Sequence, residues 1–256
     1  MLETSALAEL RRLFAGEGEA LQERIRLQAR QALTDLAQEI GAANGLELGQ
    51  SLVEGPVPDA TIAQAGRASA DLLVVGARGT SFMRHWLLGA TAERLLRKCP
   101  LPILVVKQPP REVYASVLVP VDFSPWSAGA LGLALAVAPK AELILLHAYE
   151  APFESKMRFA GVADDLVLRY RETARHEAQA RLLELAAAAG IEPGRWRAVI
   201  VHGDAAPRIL EQEEEQGADL IVLGKHGVGV AEDLLLGSVT KHVLAQARCD
   251  VLVAQR

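Results

Sequence analysis

The chain repeats itself, and this repeat limits the possible folds more than any other feature of the sequence. Residues 70–79 read ADLLVVGARG, and residues 218–227 read ADLIVLGKHG, 148 positions further along. The same spacing relates Gly89 to Gly237. Self-similarity at a fixed spacing is the signature of repeated structural units. Two homologous halves are therefore the simplest interpretation.

The second half alternates strand patterns with helix patterns. Short apolar runs predict buried strands, and longer stretches that end at capping residues predict helices. The predicted strands are 116–121, 142–147, 197–201, 219–223 and 250–254, and the predicted helices are 124–138, 164–189, 206–216 and 238–247. Such alternation predicts an α/β fold built on an open parallel sheet.

The first half contains only the later part of this pattern. Its predicted helices are 18–40, 59–68 and 91–98, and its predicted strands are 46–53, 71–75 and 101–106. It has no counterpart of residues 114–148, which hold two strands and a helix. We therefore expect an incomplete domain at 1–108 and a complete one at 114–256. A truncated sequence or misassigned start codon would explain the gap, and so would a degenerate half that relies on its partner.

Composition excludes several classes of protein. A net charge of −5 and an aromatic content of 4% argue against a nucleic-acid binder. The sequence has no 18-residue apolar run and no secretory signal pattern, so we expect a cytoplasmic protein without a membrane span. The two cysteines form no CxxC pattern, which excludes a structural zinc site of that type.

A glycine motif follows the fourth predicted strand of the second half. Gly224, Gly227, Gly237 and Ser238 are spaced as glycine, two residues, glycine, nine residues, glycine, serine. Glycines there allow positive φ and close approach of backbone amides, and a helix N-terminus favours anions. The pattern predicts a phosphate site at the carboxyl edge of the sheet. Taken alone, it also fits three turn glycines and a capping serine, but its recurrence in the first half favours the phosphate site.

With this motif, the chain resembles the universal stress protein family in its tandem two-domain form. The second half resembles the ATP-binding branch of that family. The resemblance implies two tandem open parallel-sheet domains of the adenine nucleotide alpha hydrolase type, with strand order 3-2-1-4-5 in the complete second domain. Because the fifth strands of the family often pair across the dimer interface, it also implies that 101–106 lies against 250–254.

The resemblance further implies an ATP site in the second half. By analogy, Asp122 contacts the adenosine part of ATP, Ala148 lines the adenine pocket, and the motif holds the ribose and phosphates. The implied nucleotide-binding residues are Pro120, Val121, Asp122, Ala148, Leu223, Gly224, Gly227, Gly237, Ser238 and Val239.

The first half departs from the family pattern in two ways. Gly76, Gly79 and Gly89 keep the spacing of the loop, but Ala90 stands where a hydroxyl is expected. A counterpart of Asp122 is also lacking. We therefore interpret this as a degenerate loop and do not expect the first half to bind ATP alone.

The charges of the two glycine loops differ. Glu232 and Asp233 stand in the second-half loop, where two carboxylates disfavour a triphosphate unless Mg²⁺ bridges them or they face solvent. Both alternatives remain open, and Lys225 and His226 are expected to offset part of the negative charge.

These observations support three functional hypotheses. The first is a stress protein that binds ATP and acts as a nucleotide-responsive regulatory module. The alternative is a nucleotide-independent dimerisation or interaction module of the same fold, with a homodimer left open. An enzyme is least supported, since no catalytic residue and no metal site can be assigned and slow ATP hydrolysis is the most we expect.

Overall fold

The computed structural model describes residues 18–77, 89–109, 113–150, 154–227 and 236–255. The chain divides into two compact units, Met1–Ala70 and Asp71–Arg256. The later part of the first repeat thus shares a compact unit with the second repeat. The domain boundaries expected from the repeat, 1–108 and 114–256, stay a prediction.

The first unit contains helices α1 (Gly18–Asn44) and α2 (Val57–Arg67). Both helices were expected, but the predicted strand at 46–53 is wrong, since this segment has no regular secondary structure. A strand satisfies its backbone groups by pairing with another strand, and the described residues of this unit contain none. The apolar stripe of α1 is half-buried in its first part and exposed at Leu36 and Ile40.

The second unit is built on a single seven-stranded sheet. Its strands are β1 (Leu73–Gly76), β2 (Ile103–Val106), β3 (Ser116–Pro120), β4 (Glu142–Tyr149), β5 (Trp196–His202), β6 (Leu220–Gly224) and β7 (Asp250–Ala254). Its described helices are α3 (Ala90–Lys98), α4 (Pro125–Val137), α5 (Glu154–Phe159), α6 (Asp164–Ala188), α7 (Ala205–Gln216) and α8 (Ser238–Gln246). All but the short α5 were predicted, with ends within three residues.

The strand order across the sheet is β1-β2-β7-β6-β3-β4-β5. The five strands of the second half therefore run 3-2-1-4-5, and they pair in parallel. This confirms the predicted fold class. The order reverses between β3 and β6, and in open α/β sheets the crevice beyond the carboxyl ends of the strands at such a point is the usual ligand position.

The two halves join through an antiparallel pair of strands, β2 and β7. Leu104 stands opposite Leu252, and both side chains are buried. The pairing of 101–106 with 250–254 that the resemblance implied is therefore present, and it lies within one chain.

The repeat is preserved in backbone register. Val74 pairs with Leu104 in β1 and β2, and Val222 pairs with Leu252 in β6 and β7, again 148 positions apart. Burial breaks the symmetry, because Val222 is fully buried whereas Val74 is 55% exposed. The cause is the neighbouring strand: β6 has β3 on its other side, while β1 pairs only with β2 among the described strands.

The core that supports the carboxyl edge lies between β3, β6 and α4. Val117 and Val119 of β3 are fully buried, and so are Ala130 and Ala134 of α4. The small side chains of α4 allow the helix to approach the sheet closely, and Pro125 at its first turn has the φ that a helix needs. This packing fixes the segment between β3 and α4, which carries Asp122.

Candidate functional site

A cavity of about 240 Å³ opens where the carboxyl ends of β3 and β6 meet the start of α8. All ten residues that the sequence analysis assigned to the nucleotide site line it. They are Pro120, Val121, Asp122, Ala148, Leu223, Gly224, Gly227, Gly237, Ser238 and Val239. Residues far apart in the sequence thus converge on one place, which is the geometry that a ligand site requires.

The lining also includes six residues that the sequence analysis did not assign: Ser127, Leu146, Ala205, Ile209, His226 and Thr240. Ala205 and Ile209 come from α7, which begins after β5 at the same edge of the sheet. Gly203, with a φ of 130°, lies in the turn before α7, and this glycine is a sequence signal for the turn.

Asp122 follows β3, and its carboxylate is oriented by the first turn of α4. Oδ1 accepts a hydrogen bond from the backbone N of Ser124 at 3.0 Å and another from Oγ of Ser127 at 2.6 Å. The backbone N of Asp122 donates to Oγ of Ser127 at 3.0 Å. Asp122 is exposed to solvent and lines the cavity, so its carboxylate is accessible to a ligand.

The glycines of the motif allow close approach. A Cβ on Gly227 would lie 2.7 Å from Oδ2 of Asp122, and a Cβ on Gly224 would lie 2.7 Å from Cβ of Trp126. The positive φ that glycine allows is not used here, because neither of these glycines nor Gly237 has a φ in the left-handed region. Lack of a side chain, rather than backbone freedom, is what these positions require.

The start of α8 forms the anion-favouring side of the cavity. The helix begins at Ser238, as predicted, and Gly237 is its N-cap residue with no side-chain capping bond. The first backbone N–H groups of a helix have no partner within the helix and favour negative charge. Thr240 donates through Oγ1 to the carbonyl of Gly224 at 2.9 Å, which ties α8 to the end of β6.

The opposite wall of the cavity is apolar. Val121, Leu146, Ile209 and Leu223 are all buried and line it, and Ala148 contributes a small side chain at the end of β4. Such a surface suits a flat apolar ring.

The expected role of Lys225 in offsetting the charge of Glu232 and Asp233 stays a prediction, because both carboxylates lie outside the described residues. The Nζ of Lys225 donates to the carbonyl of Arg97 at the end of α3, 3.0 Å away, and the residue is not among those that line the cavity. The positive charge therefore supports the C-terminal end of α3. His226 does line the cavity, with its ring edge-on to Trp126 at 5.0 Å between centroids.

His147 is a hydrogen-bonded histidine that does not line the cavity. Its Nδ1 lies 2.7 Å from the carbonyl oxygen of Val121, and burial lowers the pKa of the imidazole. The ring also contacts Phe123, whose other contact is the guanidinium of Arg181, 3.9 Å from the ring centroid. These contacts support the β3–α4 segment away from the cavity.

A second polar cluster, which the sequence analysis missed, lies near the ends of β4 and β5. Glu154 forms an ion pair with Arg171, and its Oε2 lies 2.8 Å from Nε2 of His202. The hydrogen bond from Arg171 is the main cause that lowers the pKa of Glu154 to about 2, and His202 contributes further. Neither Glu154 nor His202 lines the cavity, so the cluster serves to hold α5 against α6 and β5.

The described ends of the first-half loop keep the backbone bonds of the second-half loop. The N–H of Ala77 donates to the carbonyl of Val106 at 2.8 Å, as Lys225 does to Ala254 at 2.8 Å. Gly76 ends β1 and Gly89 is the N-cap residue of α3, whose first residue is Ala90. Gly79 lies outside the described residues, as do Glu232 and Asp233.

A larger cavity of about 540 Å³ lies beside the connection between the halves. Its two carboxylates already have structural partners. Asp250 accepts bonds from the backbone of Lys107 and from the hydroxyl of Tyr114, and Asp219 accepts from the backbone of Ala115. These bonds fix the connection between the halves, so we do not consider this cavity the functional site.

No group of three or more histidine, cysteine, aspartate or glutamate side chains is arranged to hold a metal ion in the part of the chain that the structure describes. None of the described helices is both long enough and apolar enough to cross a membrane.

Comparison with known proteins gives consistent matches. The model of the universal stress protein family matches residues 4–107 and again 114–255. A universal stress protein of Mycobacterium tuberculosis, Rv2005c, is 32% identical over 232 residues, which cover 86% of this chain and 74% of the relative. A universal stress protein of Archaeoglobus fulgidus has a solved structure with a TM-score of 0.65 and 25% identity, covering 91% of this chain and 79% of that one.

Proposed function

Because the chain belongs to the universal stress protein family, we propose that its second half binds ATP in the cavity at the ends of β3 and β6. In this proposal the protein is a stress module that responds to the bound nucleotide. One observation carries the proposal: the carboxylate of Asp122, the apolar wall and the start of α8 all face the same 240 Å³ cavity.

The proposed orientation of ATP follows from charge. An ionised carboxylate only accepts hydrogen bonds, so Asp122 suits the hydroxyl and amino groups of the nucleoside. The triphosphate suits the amides at Gly237 and Ser238, where a helix N-terminus favours anions. The adenine ring then lies against the apolar side chains of Val121 and Leu223.

The size of the cavity agrees with this division. Typical ligand sites have about 300–1,000 Å³, and the cavity has about 240 Å³. We therefore assign the nucleoside to the cavity and the phosphates to its exposed rim, where Ser238 faces solvent. Mg²⁺ enters the proposal only as a companion of the phosphates.

The first half is not proposed to bind ATP. Its backbone keeps the bond from Gly89 to Ala77, at 3.4 Å, that matches the bond from Gly237 to Lys225 at 3.0 Å. Ala90 stands at the start of α3, where α8 begins with Ser238. A backbone cradle alone offers nothing that distinguishes a nucleotide from another anion.

A second candidate function, an interaction module that needs no nucleotide, is favoured by exposed apolar side chains on α5 and α6. Phe159 is 96% exposed, and Leu166 and Leu168 are also exposed. Since β2 already pairs with β7 within the chain, a homodimer would have to use a different surface from that strand edge. The cytoplasmic location expected from the sequence is kept in both proposals.

The test is direct measurement of ATP binding to the purified chain. Titration with ATP by calorimetry, with and without Mg²⁺, is expected to give one site per chain, and release of inorganic phosphate is expected to be slow. Trp126 provides an independent signal, because its ring contacts that of the cavity-lining His226. Absence of binding by both methods would leave the interaction module as the better account.

A further inference from the structure

Ser127 is the residue on which the orientation of Asp122 depends. It stands in the first turn of α4, lines the cavity and is only 4% exposed. Its hydroxyl makes two bonds with the same residue, since it accepts from the N–H of Asp122 at 3.0 Å and donates to Oδ1 at 2.6 Å.

These two bonds allow only one orientation of the Ser127 hydroxyl group. A serine hydroxyl has a single proton, and the amide of Asp122 already points at the oxygen. The proton is therefore directed to Oδ1, and the bond is a short, charge-assisted one of the stronger kind. The backbone N–H of Ser124 donates to the same Oδ1 at 3.0 Å, so both donors act on one carboxylate oxygen.

The consequence is that the other oxygen, Oδ2, is turned towards Gly227. A Cβ on Gly227 would lie 2.7 Å from Oδ2, so this oxygen reaches the glycine loop that follows β6. Without the Ser127 hydroxyl, the solvent-exposed carboxylate loses the shorter of these two bonds to Oδ1, and we expect it to gain other rotamers.

We infer that Ser127 is a positioning residue that sets the carboxylate of Asp122 for the nucleoside of the ligand. This inference rests on the proposed function for its ligand, although the orientation of Asp122 can be measured without one. Ser127 acts through Asp122. A merely structural serine would leave the ionisation of the Asp122 carboxyl group unchanged, whereas a positioning serine would affect it.

The chain offers a matched control three residues earlier. Ser124 precedes α4 and gives Asp122 only its backbone N–H, while its Oγ is buried and makes no hydrogen bond to any described residue. S124A therefore removes a hydroxyl from the same turn without removing a bond to Asp122. S127T provides the conservative variant, since threonine keeps the hydroxyl.

The experiment measures two quantities in wild type, S127A, S124A and S127T. The first is the titration midpoint of the Asp122 carboxyl group in the ligand-free protein, followed by carbon NMR. A hydrogen bond to the ionised carboxylate stabilises the ionised form. Loss of this bond in S127A is therefore expected to raise the titration midpoint by about one pH unit, whereas S124A is expected to leave the midpoint unchanged. The second is the affinity for ATP at neutral pH, expected to fall about tenfold in S127A and to recover in S127T.

The outcomes separate the two proposals. If wild type binds no ATP, the proposed function fails, and the midpoint alone then decides whether Ser127 positions Asp122. An unchanged midpoint in S127A overturns the inference, whatever the affinity. Equal loss of ATP affinity in S127A and S124A also overturns it, because the effect would then come from the helix end and not from Asp122.

Discussion

The carboxylate of Asp122 lies directly against Gly227, so that a Cβ placed on the glycine would come within 2.7 Å of Oδ2. Asp122 follows β3 and Gly227 follows β6, and these two strands are neighbours in the sheet. The contact therefore joins the two segments that build the candidate site, and it leaves no room for a side chain at position 227.

Replacement of Gly227 by valine is expected to weaken ATP binding about tenfold to a hundredfold. The new side chain must displace the carboxylate of Asp122, and overpacking of this kind costs about 1–3 kcal/mol. Calorimetric titration measures the loss. G132A is the control, since Gly132 lies in α4 with no heavy atom within 4 Å of an added Cβ. We expect G132A to bind ATP as wild type does and to gain about 0.5–1 kcal/mol in stability. Equal affinities in the two variants would contradict the prediction.

Leu104 and Val74 stand opposite each other in β2 and β1, yet we expect very different effects from their truncation. L104A is expected to lower the free energy of unfolding by about 2–5 kcal/mol, because Leu104 is buried between β1 and β7. V74A removes a 55% exposed side chain, and the expected change is within about 0.5 kcal/mol. Urea denaturation of both variants tests this. Similar losses would show that the edge strand is covered in solution.

The ionised carboxylate of Glu154 is expected to stabilise the fold at neutral pH and to lose this effect in acid. Its pKa is lowered to about 2, chiefly by the hydrogen bond from Arg171, from an ordinary value of 4.5. A lowered folded-state pKa stabilises the protein above the unfolded-state value and loses this effect as the pH falls towards the folded-state value. The difference in melting temperature between wild type and E154Q should therefore be largest at neutral pH and shrink between about pH 4.5 and 2. E142Q is the control, because Glu142 is a more exposed partner of Arg197. A difference between wild type and E154Q that is independent of pH would contradict this account.

The variant K225M tests whether the positive charge of Lys225 contributes to ligand binding or to the stability of α3. K225M is expected to destabilise the fold by about 1–3 kcal/mol, since the carbonyl of Arg97 loses its bond in a buried place. For a chain of this size the melting temperature should fall by roughly 2–10 °C, while ATP affinity changes little. K241M replaces an exposed lysine of α8 and is expected to alter neither quantity. Loss of ATP binding in K225M with an unchanged melting temperature would assign the charge to the ligand.

Most of the fold could be predicted because its signals are local. The β-branched run at 116–120, the proline at the start of α4 and the glycines that end helices all act through their immediate neighbours. The one wrong strand, 46–53, shows the limit of such signals. Its residues have the pattern of a strand, but a strand also needs a neighbour, and the described part of its unit offers none.

The candidate site was predicted in outline but not in its supporting contacts. The glycine spacing and Asp122 pointed to the right edge of the sheet. Ser127 and Ile209 were missed because nothing in their local sequence distinguishes them from other helix residues. The bond from Lys225 to Arg97 was missed as well, since a lysine beside a glycine loop suggests a phosphate and only the fold shows Arg97 within its reach.

The sequence by itself determined the repeat, the order of strands and helices, and the candidate residues of the site, because each depends on residue type and spacing along the chain. Only the tertiary structure decided which glycines need to lack a side chain and how the carboxylate of Asp122 is turned. These depend on distances between segments 100 residues apart in the chain, such as the contact of Asp122 with Gly227. Such distances are set by the packing of β3 beside β6, and no local pattern encodes them.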